Sequence, residues 1–169
     1  GSVGNLGATG NTFGLYFIGN DLAPKLEDKF GKENIIIDIF GGGTPKKKVA
    51  STLNRPSIRL RGWVDDINKE ILNSGAFLVL TNVSGFTVGN TRILLAWSLG
   101  VPLIAHRDSA LSMPEIVHGK NALLGTSADE IADLIYSVSK DSGLGGKIGR
   151  GGYETYKKYY SSEIVVPKM

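Results

Sequence analysis

Cysteine is absent from this sequence, and histidine is scarce, with only His106 and His118 among its 169 residues. The lack of cysteine excludes disulfide frameworks and thiolate metal sites, and two histidines are too few for a histidine-rich metal centre. We therefore predict that the protein holds no metal ion. A chain without cysteine also suits a reducing compartment, so we expect a cytoplasmic location.

Long apolar runs and a strong charge of either sign are also missing. No run reaches the roughly 18 residues that a membrane-spanning helix needs, and the first residues do not resemble a signal peptide. The net charge is +3, and basic residues do not interleave with aromatic ones on one predicted face, so we expect no nucleic-acid partner. The basic run 46–48 is typical of a solvated helix face, with contact to a ligand or membrane as its alternative.

Two nucleotide-binding motifs are missing as well. Neither the Gly-x-Gly-x-x-Gly fingerprint nor a P-loop occurs, so the usual sites for NAD or ATP gain no support. Hydrophobic residues make up 41% of the chain, which is typical of a globular protein. The length suits one domain with a substantial core, so we treat residues 1–169 as a single domain.

Short apolar runs alternate with amphipathic segments along the whole chain. We predict strands at residues 2–6, 34–40, 57–64, 76–83, 101–106 and 122–125. The first helix is predicted at residues 11–29, with a bend at Pro24, and the second begins after a Thr44-Pro45 cap. Further helices are predicted at residues 65–74, 90–99, 127–140 and 147–161. We also expect one helical turn at 112–115 and a flexible hinge in the glycine-rich stretch 143–152.

This order of elements predicts an α/β fold. Strands joined by helices form a parallel sheet, so we expect a Rossmann-like sheet of about six strands with helices on both faces. Ligands of such sheets lie at the carboxyl ends of the strands. A phosphate-regulated receiver domain has a similar sheet, but Asp38 lies within a predicted strand and not at its end, so this alternative is disfavoured.

Glycine and small polar residues follow several of the predicted strands. Glycine lets backbone amides approach a ligand, and the amino ends of helices attract anions. The edge of the sheet at the carboxyl ends of its strands therefore suits a diphosphate. The candidates for that role are Gly7, Gly41, Gly42, Gly89, Asn90, Thr91 and Arg92. Tight turns remain the alternative explanation for the glycines, and a surface position or a pair with Asp108 remains the alternative for Arg92.

Residues 62–135 resemble the C-terminal, donor-binding half of retaining GT-B glycosyltransferases of group 1. The resemblance rests on Gly62-Trp63-Val64, Ser84-Gly85-Phe86 and the stretches 95–104 and 114–124, in the family's order and spacing. Two features depart from the family. The positions of its paired glutamates hold Ser84 and Leu95, and the lysine often found in the first loop is missing, which leaves Arg92 as the candidate cation.

The resemblance implies transfer of a sugar, with retention and without a metal, from a nucleotide-diphosphate sugar to a glycan or lipid-linked acceptor. It implies a catalytic Arg92, which stabilises the leaving diphosphate together with residues 89–91. It also implies further donor contacts: Trp63 and Val64 with Thr81 or Ser84 near the nucleobase, and His106, Ser109, Ala110 and Glu115 near the sugar. Each of three residues has an alternative explanation. Trp63 could pack in the core, His106 could have a structural role, and Glu115 could contact the amino end of a helix.

A GT-B enzyme has two such domains, and this chain has room for one. We therefore expect a fragment of a two-domain enzyme, inactive without the N-terminal half that holds the acceptor. The Tyr- and Lys-rich residues 153–160 are expected to pack as a terminal helix, with peripheral contact to the inner face of a membrane or to the missing half as the alternative. Because both glutamates are missing, the alternative is a non-catalytic domain that binds a nucleotide or sugar phosphate.

Overall fold

The computed structural model describes residues 2–3, 5–80 and 90–162. Its strands are β1 (Ser2–Val3), β2 (Ile37–Phe40), β3 (Ile58–Gly62), β4 (Phe77–Val79), β5 (Leu103–His106) and β6 (Leu123–Gly125). Its α-helices are α1 (Thr9–Tyr16), α2 (Ala23–Phe30), α3 (Lys47–Leu53), α4 (Ile67–Leu72), α5 (Asn90–Ser98), α6 (Ala128–Lys140) and α7 (Ser142–Tyr159).

The six strands of the described residues form two parallel three-stranded sheets, in the orders β1-β2-β3 and β4-β5-β6. Strand β1 lies beside β4, so the spatial order is 3-2-1-4-5-6. This order reverses direction between β1 and β4, which is where Rossmann-like sheets bind ligands. The predicted parallel α/β fold is therefore confirmed, although the hydrogen-bonded ladder is interrupted between its two halves.

Helices cover both faces of the sheet, and each face has its own apolar cluster. Ile39, Leu78 and Ile104 belong to the first cluster, with residues of α2 and α6. Phe77 directly precedes Leu78, and Leu103 directly precedes Ile104. Both Phe77 and Leu103 belong to the second cluster, with Trp97 of α5. Successive residues of a strand point to opposite faces, so strands buried on both sides must be apolar throughout.

The first predicted helix is interrupted differently from the prediction. The segment Phe17–Leu22 is π-helical and separates α1 from α2. Pro24 then lies in the first turn of α2, where a proline needs no N–H partner.

Two of the predicted helix starts were right, and each has a side-chain cap. Asp66 accepts a hydrogen bond from the Lys69 amide at 3.1 Å, and Ser127 accepts one from the Glu130 amide at 3.2 Å. The predicted Thr44-Pro45 cap is wrong, because α3 begins at Lys47 and has no side-chain cap. The turn expected at 112–115 is a single hydrogen-bonded turn, in which the Ile116 amide donates to the Met113 carbonyl at 3.1 Å. A 3₁₀-helix that was not predicted precedes it at Arg107–Ala110.

The glycine-rich stretch 143–152 is not a hinge. It lies within α7, which begins at Ser142 and packs closely on α5 and the loops beside it. A Cβ atom at Gly149 would overlap the Gly100 carbonyl, and one at Gly151 would overlap the Lys120 carbonyl. Glycine therefore allows the helix backbone to approach neighbouring backbone, and this close contact keeps the segment ordered despite its low helix propensity.

Two single alanine substitutions in α7 should change stability in opposite directions. Gly149→Ala should lower the free energy of unfolding by about 2 kcal/mol, because the new methyl group meets fixed backbone. Gly146→Ala should raise it by about 0.5 kcal/mol, since its Cβ position is open and alanine favours a helix. Urea denaturation of both variants measures the difference, and destabilisation by both would argue against the observed packing of α7.

No helix within the described ranges is long and apolar enough to cross a membrane.

Candidate functional site

Arg92 connects the first turn of α5 to the start of α1. Its Nη2 atom donates a hydrogen bond to Asn11 Oδ1, and Asn11 Nδ2 in turn donates to the Asn5 carbonyl at 2.7 Å. Helix α1 follows β1 and α5 follows β4, so both helices begin at the carboxyl edge of the sheet. The contact therefore places a guanidinium at the point where the strand order reverses.

The charge of Arg92 has no carboxylate partner among the residues that the structure describes. Burial of the guanidinium lowers the pKa of Arg92, which shows that its surroundings disfavour the charge. Asp108, the suggested partner, instead lies 3.6 Å from His106 Nδ1. A cation at the amino end of a helix also opposes the helix dipole. The site is therefore electrostatically suited to an anion.

The loop before α1 is tight and leaves the amino end of that helix without a side-chain cap. The Gly7 amide donates to Asn5 Oδ1 at 2.9 Å, and a Cβ atom at Gly7 would lie 3.2 Å from the Thr44 carbonyl oxygen. Glycine at this position thus permits the close approach of two loops. The uncapped first turn offers backbone N–H groups to an anion.

The glycines after β2 join three loops to one another. The Gly41 amide donates to the Gly62 carbonyl at 2.9 Å, and the Gly42 carbonyl accepts from the Leu6 amide at 3.0 Å. Gly41 has a φ of 136°, which disfavours other residues. Gly42 is exposed, with open space where a Cβ would stand. Of the two predicted candidates, Gly42 thus leaves open space for a ligand to approach, whereas the Gly41 amide is used by Gly62.

Trp63 and Val64 follow β3 at the same edge of the sheet. The Trp63 side chain is 85% exposed, so the alternative of core packing is wrong. Val64 is half-buried. An aromatic side chain this exposed can present one face to a flat ring of a ligand.

The polar atoms of His106 and Ser109 contact the protein itself. The His106 ring is buried, with Nε2 2.8 Å from the Thr126 carbonyl and Nδ1 accepting from the Asp108 amide at 3.2 Å. With Nδ1 accepting, Nε2 is the nitrogen that donates to the Thr126 carbonyl. Ser109 Oγ donates to the Val79 carbonyl at 3.4 Å, and Ala110 is half-buried. The structural role considered for His106 is thus observed.

Glu115 lies half-buried beside the end of α7. Burial and a hydrogen bond to Glu115 raise the pKa of Tyr160 to about 12. Within the described part of the chain, the other carboxylate oxygen, Oε2, is buried and accepts no hydrogen bond. The carboxylate therefore retains capacity for one further donor.

The remaining predicted site residues are only partly described. Thr81, Ser84 and Gly89 lie outside the described residues. Asn90 and Thr91 begin α5, and Thr91 is exposed. Asn5 and Asn11 were not predicted as site residues, because Asn5 fell within the predicted first strand and Asn11 at the start of the first predicted helix. Their role depends on a contact with Arg92, 81 residues away from Asn11, which no local pattern indicates.

Solved structures share this fold. HepE from Anabaena, in complex with UDP, matches with a TM-score of 0.73 and 15% identity over 94% of this chain and 43% of its own. The C-terminal domain of LpcC, a glycosyl transferase group 1 family protein from Francisella tularensis, matches with a TM-score of 0.70 and 20% identity. The match covers 95% of this chain and 85% of the LpcC domain. The pneumococcal O-GlcNAc transferase GtfA, in complex with UDP and GlcNAc, matches with a TM-score of 0.66 and 16% identity. The match covers 96% of this chain and 33% of GtfA. This chain thus spans less than half of HepE and GtfA.

The sequence itself identifies the family. The family model described as "Glycosyl transferases group 1" matches residues 1–141, which is most of the chain. The chain therefore belongs to the group 1 glycosyltransferases, and its fold is that of the C-terminal half of a GT-B enzyme. No curated protein matches the sequence.

Proposed function

We propose that this chain is the donor-binding half of a retaining glycosyltransferase. It holds a nucleotide-diphosphate sugar at the carboxyl edge of the sheet, and the sugar passes to a glycan or lipid-linked acceptor. The observation that carries this proposal is Arg92, a partly buried cation without a carboxylate partner among the described residues, at the reversal of the strand order. A diphosphate would supply the missing negative charge.

The reaction needs that charge compensation most when the diphosphate leaves. Negative charge then grows on the leaving group, and groups fixed beforehand stabilise it at the smallest cost of reorganisation. Arg92 supplies a fixed positive charge, and Asn11 orients its guanidinium. The amino ends of α1 and α5, including Asn90 and Thr91, supply backbone N–H groups. Gly89 would extend the same set from the preceding loop.

Other residues would hold the two ends of the donor. Trp63 would stack on the nucleobase, flanked by Val64, with Thr81 or Ser84 nearby and the Gly7 and Gly42 backbones beside the diphosphate. Ser109, Ala110 and Glu115 would line the sugar pocket. His106 would contribute by holding the 3₁₀-helix that carries Ser109 and Ala110, because both of its ring nitrogens are occupied.

A second candidate function is favoured by Leu95. This residue, at the family's second glutamate position, packs against the second apolar cluster and cannot accept a bond from a ribose hydroxyl. A non-catalytic domain that binds a nucleotide or sugar phosphate would tolerate this change. Arg92 is expected in both functions, so transfer activity must distinguish them.

The domain organisation follows from the same proposal. This chain would be one half of a two-domain enzyme, cytoplasmic and peripheral to the membrane, whose N-terminal half holds the acceptor. The isolated half should therefore bind a donor but transfer nothing.

A titration followed by amide NMR tests donor binding. UDP-, GDP- and ADP-sugars are added to the folded chain, with UDP first because the HepE structure contains it. We expect one nucleotide to shift the amides of Thr91 and Arg92, the Asn11 side chain and the Trp63 indole, while α6 stays unchanged. Free sugar without nucleotide is the control. If no nucleotide shifts these signals, the proposed donor site is wrong for the isolated domain.

Transfer is then measured with the full-length polypeptide. Turnover of the bound donor, with the anomeric configuration of the product kept, would support the retaining enzyme. Donor binding by the full-length protein without turnover for any glycan or lipid-linked acceptor tested would support the non-catalytic alternative.

A further inference from the structure

Helix α7 carries the net positive charge of the whole chain. The chain has 19 basic and 16 acidic residues. One acidic residue, Glu154, and four basic residues belong to α7, the basic ones being Lys147, Arg150, Lys157 and Lys158. The remainder of the chain therefore holds 15 residues of each sign and has no net charge. The excess of three positive charges is concentrated on this single helix.

The four basic residues lie on one exposed side of α7, which we call the basic face. Successive residues of an α-helix are about 100° apart, and these four positions fall within an arc of about 100°. All four side chains are exposed. The buried residues of the helix lie on the opposite side and include Gly145, Ile148, Gly149, Gly152 and Thr155. The basic face therefore points away from the protein interior.

Neighbouring carboxylates do not neutralise the basic face. Basic residues of α2 form ion pairs with α6, from Lys25 to Asp129 and from Lys29 to Asp133, each at 2.7 Å. Within the ranges that the structure describes, no side chain of the basic face forms an ion pair. Solvated helix faces usually mix charges of both signs, so an unbalanced face favours an anionic partner.

A fifth basic residue, Lys120, lies in a loop beside the basic face. A Cβ atom at Gly151 would overlap the Lys120 carbonyl, so this loop packs directly against α7. Gly151 and Lys158 are about 20° apart around the helix, so the loop borders the basic face on that side. Lys120 is exposed and adds to the same excess of positive charge.

Two exposed tyrosines flank the basic face. Tyr153 and Tyr159 are 45% and 46% exposed, and neither lies within the arc of the basic side chains. A tyrosine combines an apolar ring with a polar hydroxyl, and such side chains are enriched at the headgroup level of membranes. Single-stranded nucleic acids instead bind grooves in which bases stack on aromatic side chains between basic ones. The arrangement on α7 therefore favours a lipid surface.

The shape of the basic face also suits a bilayer. From Lys147 to Lys158 it extends about 16 Å along the axis of one helix, and a flat surface can meet such a convex face along its whole length. The buried side of α7 packs on α5, so the helix has no free apolar side to insert into lipid. The contact would therefore be electrostatic and limited to the headgroups.

We propose that the basic face of α7, together with Lys120, docks on the anionic headgroups of a phospholipid bilayer. This inference rests on the proposed peripheral location and names the surface responsible for it. No residue of the basic face belongs to the candidate donor site. Lipid binding and donor binding are therefore separate properties of the chain, and each can be measured without the other.

Sedimentation of the chain with vesicles tests the inference. Vesicles of phosphatidylcholine with about one third phosphatidylglycerol supply the anionic surface, and vesicles of phosphatidylcholine alone are the neutral control. We expect the chain to bind only the anionic vesicles. Raising the salt concentration from about 0.1 M to about 0.5 M should weaken this binding at least about tenfold, because salt screens the attraction between exposed charges.

Two double substitutions separate the basic face from charge in general. Lys157→Gln with Lys158→Gln should weaken vesicle binding about thirtyfold, because each basic residue near an anionic surface strengthens binding about fivefold. Lys46→Gln with Lys47→Gln removes the same charge from another exposed pair of adjacent lysines, and should change vesicle binding by less than about twofold. Urea denaturation of both variants confirms that they remain folded.

Absence of binding to the anionic vesicles would overturn the inference, and so would an equal loss of binding in the two double variants. Displacement of the chain from vesicles by short duplex DNA at an equal concentration of charge would assign the face to a nucleic acid and would also overturn it. The UDP titration keeps the two proposals apart. A chain that binds UDP but no vesicles loses only the lipid surface, whereas one that binds vesicles but no nucleotide loses only the donor site.

Discussion

At the proposed donor site, replacing Arg92 with methionine should weaken binding of the nucleoside diphosphate, with UDP as the first one tested, by about 10- to 100-fold while leaving the fold intact. Hydrogen bonds that involve a charged group contribute about 1.5–3 kcal/mol, and each 1.4 kcal/mol changes an affinity tenfold. Methionine keeps most of the length and the apolar stem of arginine but removes the charge. Isothermal titration of the variant and the original chain with UDP measures the ratio.

The stability of the same variant separates a binding role from a structural one. In the described structure, Arg92 is a partly buried charge with one neutral hydrogen-bond partner, Asn11. Removing such a charge relieves desolvation, so Arg92→Met should be at least as stable as the original chain. If the variant instead lost stability and kept its affinity for UDP, the guanidinium would be structural and the donor site would lie elsewhere.

Three further variants define what the guanidinium contributes. Arg92→Lys keeps the charge without the fork of donors and should give an intermediate affinity. Asn11→Ala keeps the arginine but removes the acceptor that orients it, and should cost about threefold to tenfold. Arg150→Met removes an exposed arginine of α7 and should leave UDP binding unchanged.

Much of the fold could be predicted from the sequence because its signals are local. Alternating apolar and amphipathic segments indicated the parallel sheet, and Gly100, with a φ of 66°, marked the end of α5. The glycine-rich part of α7 could not be predicted from such signals. Its helix depends on close contact with Gly100 and Lys120, far away in sequence, and local propensity alone favours a flexible loop.

The candidate site shows the same division between local and distant determinants. The glycines and Arg92 could be proposed because strand ends and helix starts are visible in the sequence. The sequence could not show that Asn11 holds Arg92, that the Gly41 amide is used by Gly62, or that both nitrogens of His106 are occupied. Each of these contacts joins loops that only the folded sheet brings together.

A buried ion pair far from the donor site should produce the largest single loss of stability. Glu27 of α2 is 6% exposed, and its carboxylate accepts hydrogen bonds from Arg55 at 2.6 and 3.1 Å and from Ser57 at 2.6 Å. Arg55→Met leaves this carboxylate buried with one neutral donor. We expect the free energy of unfolding at pH 7 to fall by about 3 kcal/mol, because breaking one side of a buried pair leaves an uncompensated charge.

The pH dependence of that loss identifies its cause. The hydrogen bond from Arg55, with one from Ser57, holds the pKa of Glu27 below its usual value of 4.5, against the effect of burial. A carboxylate whose pKa is lower in the folded state stabilises the fold above the unfolded pKa, and this contribution is lost as the pH falls through the folded value. In Arg55→Met the buried carboxyl instead favours its neutral form. The difference between variant and original should therefore shrink from pH 7 to pH 3.5.

Matched variants complete the measurement by urea denaturation at both pH values. Arg59→Met removes an arginine whose side chain is 51% exposed and paired with Asp38, so it should lower stability by at most about 0.5 kcal/mol. The double variant Glu27→Leu with Arg55→Met removes both charges and should recover most of the loss, since an apolar pair can replace a buried ion pair at little cost. A loss for Arg55→Met that the double variant failed to recover, and that did not change with pH, would show that Arg55 acts through packing of its stem and not through the charge of Glu27.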